Sequence, residues 1–212
     1  MTQRLWSERT LWDAGYRLVA GVDEVGRGAL AGPLVSAAVI FPCNLCADTV
    51  ANGLQDVDDS KLLTPKERQR LAPIIFDAAI AVAVGVVAVE EIDAFGIAAA
   101  NRIAMERAVE QLTVGPEALL LDAAVIDRAL PQIGLIDGDA CCLSIAAASI
   151  VAKVTRDRLM VDYHGVDHRY GFHMHKGYGT AAHITALALH GPCTIHRQSF
   201  APVAHWAAQS PQ

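Results

Sequence analysis

The sequence predicts an α/β protein, a mixed β-sheet with helices on both faces. Two observations lead there. Short apolar runs that stop at charged or turn residues alternate with longer stretches of helical periodicity, and three strands come early, before regular strand–helix alternation. The composition is 53% apolar but only 6% aromatic, with Ala and Val carrying the surplus, which favours helices packed tightly on a sheet. No repeat, low-complexity tract or linker divides the 212 residues, so a single domain over 1–212 is expected, large enough to bury a substantial core.

Taken in order, residues 17–22 and 34–40 are predicted strands joined by a Gly-rich turn, and 41–60 is irregular. Thr64-Pro65 opens a helix: Thr is the N-cap, Pro takes the first helical position and Glu67 completes a capping box. It is expected to run to about Ala78, kinked at Pro73. Residues 80–89 alternate β-branched residues with Ala and Gly, a buried strand. After an acidic turn or helical piece at 90–96, Ile97–Leu112 is helical, with Asn101, Ala104, Met105 and Ala108 near one face. Short strands follow at 118–121 and 133–136, then a long helix from about Ala140 to Tyr163. A loop at 164–176, a helix at 180–190 and an irregular tail complete the prediction.

The chain is organised around Gly21-Val22-Asp23-Glu24-Val25-Gly26-Arg27-Gly28, where an apolar run ends in adjacent carboxylates. Neighbours in a strand point to opposite faces, so both acids reach one site only if the backbone bends there, and Gly26 and Gly28 make a bend cheap. An acidic surface turn explains the same pattern. Asp122 also ends an apolar strand, where α/β sheets collect their sites, although an Asx-turn would place it there too. Asp139 precedes the long helix, where an N-cap aspartate is the plain account. Asp157, four residues after Lys153, is explained by a helix-surface ion pair, and Asp56, Asp58 and Asp59 by loop solvation.

Charge and cysteine content exclude several classes. The formal net charge of −6 argues against a general nucleic-acid sponge, yet residues 150–200 carry six Lys/Arg against three acids and seven of the eight histidines. A phosphate-binding face fits that segment. The polar N-terminus has no apolar core of a signal peptide. The longest apolar run is twelve residues, against about 20 for a membrane helix. A soluble, cytoplasmic protein is expected. Of five cysteines, Cys43 and Cys46 have C-x-x-C spacing without a second ligand pair, so they are taken as incidental thiols. His164, His168, His173 and His175 offer nitrogen ligands in a loop without cysteine, and no zinc site is assigned to them.

The Asp23–Gly28 stretch with Gly32-Pro33 resembles the opening signature of the type 2 ribonucleases H, the ribonuclease HII family. In family order follow Asp59-Ser60-Lys61, Ala99–Met105, the run ending at Asp122, Gly138-Asp139, Ser144–Lys153, Arg156-Asp157, His175–Thr180 and His196-Arg197 with Ser199-Phe200. The resemblance spans roughly residues 18 to 203. It implies a ribonuclease H-like five-stranded sheet, three strands antiparallel and the later ones parallel, with a C-terminal segment from about 163 that contacts substrate. It also implies that Asp23, Glu24, Asp122 and Asp139 are the catalytic, metal-holding acids.

Four gathered carboxylates repel, by about 4 kcal/mol for a pair 4 Å apart at an effective dielectric near 20. Mg²⁺ or Mn²⁺ relieves this and suits two-metal phosphodiester hydrolysis. The resemblance further implies that Gly26-Arg27-Gly28 and Tyr178 recognise the ribose 2′-hydroxyl. Lys61 and Lys176 are expected phosphate contacts, with solvated surface lysine as the competing account. Ala123 departs from the family, where glycine is frequent. The Gly-Arg-Gly triplet favours ribonuclease HII over HIII. The expected activity is endonucleolytic hydrolysis of RNA in RNA–DNA hybrids and cleavage 5′ of ribonucleotides in duplex DNA, leaving 3′-hydroxyl and 5′-phosphate, by a monomer with no protein partner evident. Two rivals are another metal nuclease or phosphotransferase with the same carboxylates, and a silent hybrid-binding protein.

Overall fold

The computed structural model describes residues 5–45 and 53–208; Cys46, of the C-x-x-C pair, lies outside the described residues. Five strands form one sheet in the order β3-β2-β1-β4-β5: β1 Val19–Val25, β2 Leu34–Ile40, β3 Ala81–Val87, β4 Ala118–Asp122 and β5 Gln132–Leu135. β1, β2 and β3 are antiparallel neighbours, and β4 and β5 continue parallel to β1. The mixed five-stranded sheet is the expected one.

The period-2 alternation of β2 divides the core. Val35, Ala37 and Val39 face α6 (Leu143–Val166), α2 (Pro65–Ala78) and α1 (Trp6–Asp13), while Ala38 and Ile40 face α4 (Ile97–Glu110). Small residues set how closely the helices approach. A Cβ on Gly21 would stand 2.3 Å from the Ser144 backbone, and one on Gly85 only 2.1 Å from the Ala104 carbonyl oxygen. A third apolar cluster holds Leu30, Ala31, Met160, Tyr170, Phe172, Leu187 and Val203, tying the Gly-rich turn to the chain beyond residue 160.

Several predicted boundaries move. β1 runs three residues past its expected end, carrying Asp23 and Glu24 inside the ladder opposite Ala37 and Ser36. The long helix starts at Leu143 because Cys142 is extended, and a short helix α5, Gly138–Cys141, precedes it. Asp139 is therefore inside α5 and is not an N-cap; that position belongs to Asp137, in a left-handed conformation. The 164–176 loop holds the end of α6, a 3₁₀ turn at His168–Tyr170 and α7, Phe172–His175. α8, Ala181–His190, follows as expected, but the tail is not irregular, since α9 spans Ala201–Ala207. α1 escapes periodicity because its buried face is Ser7, Glu8, Leu11 and Trp12, half of it polar. The capping box at Thr64 and Glu67 is present, and α2 continues through Pro73. The acidic piece before α4 is helical, α3 (Val89–Phe95).

Gly21→Ala would force α6 off β1. Overpacking of this kind costs about 1–3 kcal/mol, sometimes more, so thermal unfolding should shift down by several degrees; a variant melting together with the parent would contradict the close approach.

Candidate active site

The carboxyl ends of β1 and β4 open into a cleft of about 450 Å³, lined among others by Asp23, Glu24, Gly26, Arg27, Gly28, Lys61, Asp122, Ser149, Lys153 and Tyr178. β1 pairs with β4 only as far as Val22↔Leu121, so Asp23 and Glu24 lie beyond the last β4 partner. No backbone break between them is needed: past that pair the sheet does not separate its two faces on the β4 side. The expected bend falls instead at Gly26, where φ is +98°. A Cβ there would strike the Arg156 side chain at 2.2 Å. Gly28 has neither positive φ nor any atom within 4 Å of its would-be Cβ, so the fold does not require glycine there.

Each acid is held differently. Asp23 is buried; its Oδ1 accepts from the Glu24 N–H at 2.7 Å, and Ser36 Oγ donates to its carbonyl at 2.6 Å. Burial first, then the charges of Glu24 and Asp122, push the Asp23 carboxyl well above the usual carboxylate range. Burial also raises Glu24, opposed by Arg27, whose Nη1 lies 3.2 Å from Glu24 Oε1. Glu24 Oε2 is buried with no hydrogen-bond partner. Asp122 is raised by burial, opposed by the Gly138 N–H that donates to its Oδ1 at 2.8 Å. That bond links β4 to α5 and brings Asp139 toward the same end of the sheet. Ala123 has φ +44°, a left-handed position that glycine takes without strain and alanine does not, so the departure noted at this residue carries a backbone cost.

Lys61 and Asp139 meet directly. Lys61 Nζ lies 2.8 Å from Asp139 Oδ2 and 3.9 Å from Asp59 Oδ1, and the hydrogen bond to Asp139 holds the ammonium proton tightly. Arg68 of α2 fixes this loop by donating to the Ser60 and Leu63 carbonyls. Lys176 is placed elsewhere: it lines a neighbouring groove with Arg68, Arg158 and Asp157, and its ammonium donates to the His173 carbonyl. The Lys153–Asp157 pair is present at 2.7 Å but half-buried, not on the helix surface.

Three residues quoted in the motifs but given no role belong to the site. Asn101 lies beside Glu24 and Ser149 beside Asp23, each favouring the charged form against burial, and Ser60 Oγ lies 2.7 Å from Ser149 Oγ. The signal was available: Asn101 is a polar residue on an otherwise apolar helix face, and Ser149 interrupts an Ala-rich run.

The donor set fits a divalent cation. Asp23 is desolvated between two other carboxylates, and Glu24, with Arg27 on Oε1, leaves its buried Oε2 without a partner. Among the described residues no three His, Cys, Asp or Glu side chains stand close enough to hold one ion by themselves. Mg²⁺ does not need three: it takes one or two carboxylates and completes its shell with water and phosphate oxygens.

The ribonuclease HII family model matches residues 20–203. The chain belongs to the ribonuclease HII family. Ribonuclease HII of Lactobacillus acidophilus is 52% identical over 201 residues, covering 95% of this chain and 77% of that one. Among solved structures, ribonuclease H2 from Pyrococcus horikoshii OT3 superposes with a TM-score of 0.73 at 25% identity, over 91% of this chain and 98% of that one. Bst-RNase HIII in complex with Mn²⁺ shares the fold, with a TM-score of 0.70 at 22% identity over 92% of this chain and 70% of that one. Every residue named as lining the cleft falls within the matched span.

Asp122→Asn should stabilise the metal-free protein by on the order of 1 kcal/mol, because one crowded charge is removed. Folding raises the pKa of these carboxyls, so their ionisation costs stability as pH climbs above the unfolded value near 4. The gain should therefore be present at pH 7 and vanish near pH 3–4; a variant no more stable than its parent at pH 7 would contradict the crowding.

Proposed function

We propose that this chain is a divalent-metal-dependent endoribonuclease that hydrolyses RNA in RNA–DNA hybrids and cuts 5′ of ribonucleotides embedded in duplex DNA, leaving 3′-hydroxyl and 5′-phosphate. The observation that carries the reading is one cleft holding the carboxylates of Asp23, Glu24 and Asp122 beside the Gly-rich turn and Tyr178. Family membership supports a nuclease acting on such hybrids.

Asp23, Glu24, Asp122 and Asp139 would hold Mg²⁺ or Mn²⁺. When bound, the ions supply a water of lowered pKa and charge neutralisation at the leaving oxygen. The protein does the rest. Asn101 and Ser149 oppose in small part the rise that burial imposes on the Glu24 and Asp23 carboxyls, and the Gly138 N–H orients Asp122. Gly28 presents bare backbone into open space, which a close-approaching sugar with a 2′-hydroxyl would need. Tyr178 lies across the cleft, its ring 5.8 Å from Lys153 Nζ and 5.4 Å from the Arg156 guanidinium carbon, and contacts the neighbouring sugar. Arg27 and Lys61 reach phosphate oxygens; the segment after residue 163, with Lys176 on its groove, extends the phosphate track.

The test is cleavage of duplex DNA containing one ribonucleotide, with and without Mg²⁺ or Mn²⁺. Metal-dependent cutting 5′ of the ribonucleotide is expected; no cutting with either ion would overturn the proposal. Asp139→Asn loses no cap, keeps the shape and gives up only an ion pair to the mostly exposed Lys61, so melting should move little. Turnover should fall by roughly a hundredfold or more, the scale on which metal sites answer even lesser changes. A folded variant with parental turnover would remove Asp139 from the site.

A further inference from the structure

The chain beyond residue 163 encloses three imidazoles. His183 and His196 are fully buried and His175 half-buried, among Tyr170, Phe172 and Cys193. Their partners fix every proton. His183 Nδ1 lies 2.9 Å from the Tyr178 carbonyl oxygen, which can only accept, so Nδ1 carries the proton and Nε2 is bare. His196 Nδ1 accepts from the Cys193 N–H at 3.0 Å, with the thiol sulfur at 3.1 Å, so its proton sits on Nε2. His196 Nε2 then donates to His183 Nε2 across 3.0 Å. His175 is neutral by the same logic: its Nε2 donates to the Tyr170 carbonyl at 2.7 Å, and its Nδ1 accepts from the Gly177 N–H at 3.2 Å. Its ring stacks on His183, centroids 4.4 Å apart.

The result is a directional chain from the Cys193 N–H through His196 and His183 to the Tyr178 carbonyl. A second proton has no place in it. On His183 it would set two N–H groups head to head; on His196 it would face the Cys193 N–H. Burial and the neighbouring imidazoles push His196 down to about 4, and burial lowers His183 and His175. The ionisable groups facing the pair are His175, Tyr170 and Cys193, with Asp167 farther off, and none is a carboxylate bonded to either ring.

The two ends of this chain clasp the Gly-rich turn. Tyr178 bridges Ala29, and the Leu30 N–H donates to the Gly177 carbonyl at 2.8 Å. On the other side His196 bridges Ala31, the Gly32 N–H donates to the Ile195 carbonyl at 2.8 Å, and the Arg197 N–H to the Leu30 carbonyl at 2.9 Å. We propose that His183 and His196, both neutral and in opposite tautomers, are positioning residues that set Tyr178 against the Gly-rich turn and thereby sharpen recognition of the ribonucleotide. The inference rests on the role proposed above for Tyr178. Neither histidine reaches the cleft, so their loss should act on substrate binding before it acts on the metal-dependent step.

Long-range ¹H–¹⁵N correlation spectra of the whole protein labelled at histidine should show, at pH 7.5, His183 protonated at Nδ1 and His196 at Nε2. The reverse tautomers, or an imidazolium at either residue, would overturn the proposal even if no variant folded. Kinetics on the single-ribonucleotide duplex supply the second arm. His196→Leu should raise KM about tenfold with kcat changed far less, a loss of binding shared by ground and transition states. His196→Gln, which keeps an amide donor near the Nε2 position, should recover most of it. Tyr178→Ala separates the two levels. If it leaves KM unchanged, the sugar contact itself fails. If it raises KM while folded His196→Leu does not, the contact stands and the histidine clasp is wrong. Since folding lowers these pKa values, the stability the pair contributes is complete above about pH 6.5 and is lost as pH falls toward 4.

Discussion

The site depends on how closely α6 lies on β1. With no side chain at Gly21, the Ser144 backbone comes down onto the strand, and the rest of the helix follows in register. Five residues on, Ser149 meets Asp23; four more, Lys153 stands over the Tyr178 ring; three more, Arg156 reaches the Gly-rich turn. Arg156 donates to the carbonyls of Ala31, Pro33 and Lys176, and Arg197 to those of Arg27, Gly32 and Pro33. Both guanidiniums are fully buried, and burial brings Arg197 down to about 9. One helix therefore places the floor of the acid cluster and one wall of the turn.

That geometry makes the cleft an electrostatic conflict. The sheet ends deliver Asp23, Glu24 and Asp122 into a partly dry space, where each raises the cost of ionising the next. Local donors offset a fraction of it: the Glu24 and Gly138 N–H groups, Asn101, Ser149 and Arg27. The Lys61 ammonium neutralises Asp139 at one edge. Glu24 Oε2 is left with nothing. Such an arrangement gives up stability in the free protein, and the cation proposed above would restore it.

Much of this was legible in the sequence, for identifiable reasons. Strands ended where apolar runs met Asp23 and Asp122, and the Thr64–Glu67 spacing gave the cap of α2, because these are local signals. The strand order and the candidate acids came from the motifs, not from periodicity. Local pattern failed wherever a distant partner decided the structure. α1 was missed because buried Glu8 accepts from the Ser144 N–H and hydroxyl, 136 residues away. Asp139 looked like a cap because the extended break at Cys142 has no sequence signature. The neutral histidine chain was invisible for the same reason, since its links join residues that only the fold brings together.

The central claim is that the crowded carboxylates await a divalent cation, and thermal unfolding of the nucleic-acid-free protein against Mg²⁺ and Mn²⁺ at constant ionic strength tests it most directly. A ligand that binds only the folded state stabilises it by about 2.7 kcal/mol at a hundred times its Kd. Tm should therefore climb with the logarithm of metal concentration, and replacing Asp23 or Asp122 by Asn should flatten the climb. A Tm indifferent to both ions would contradict the account.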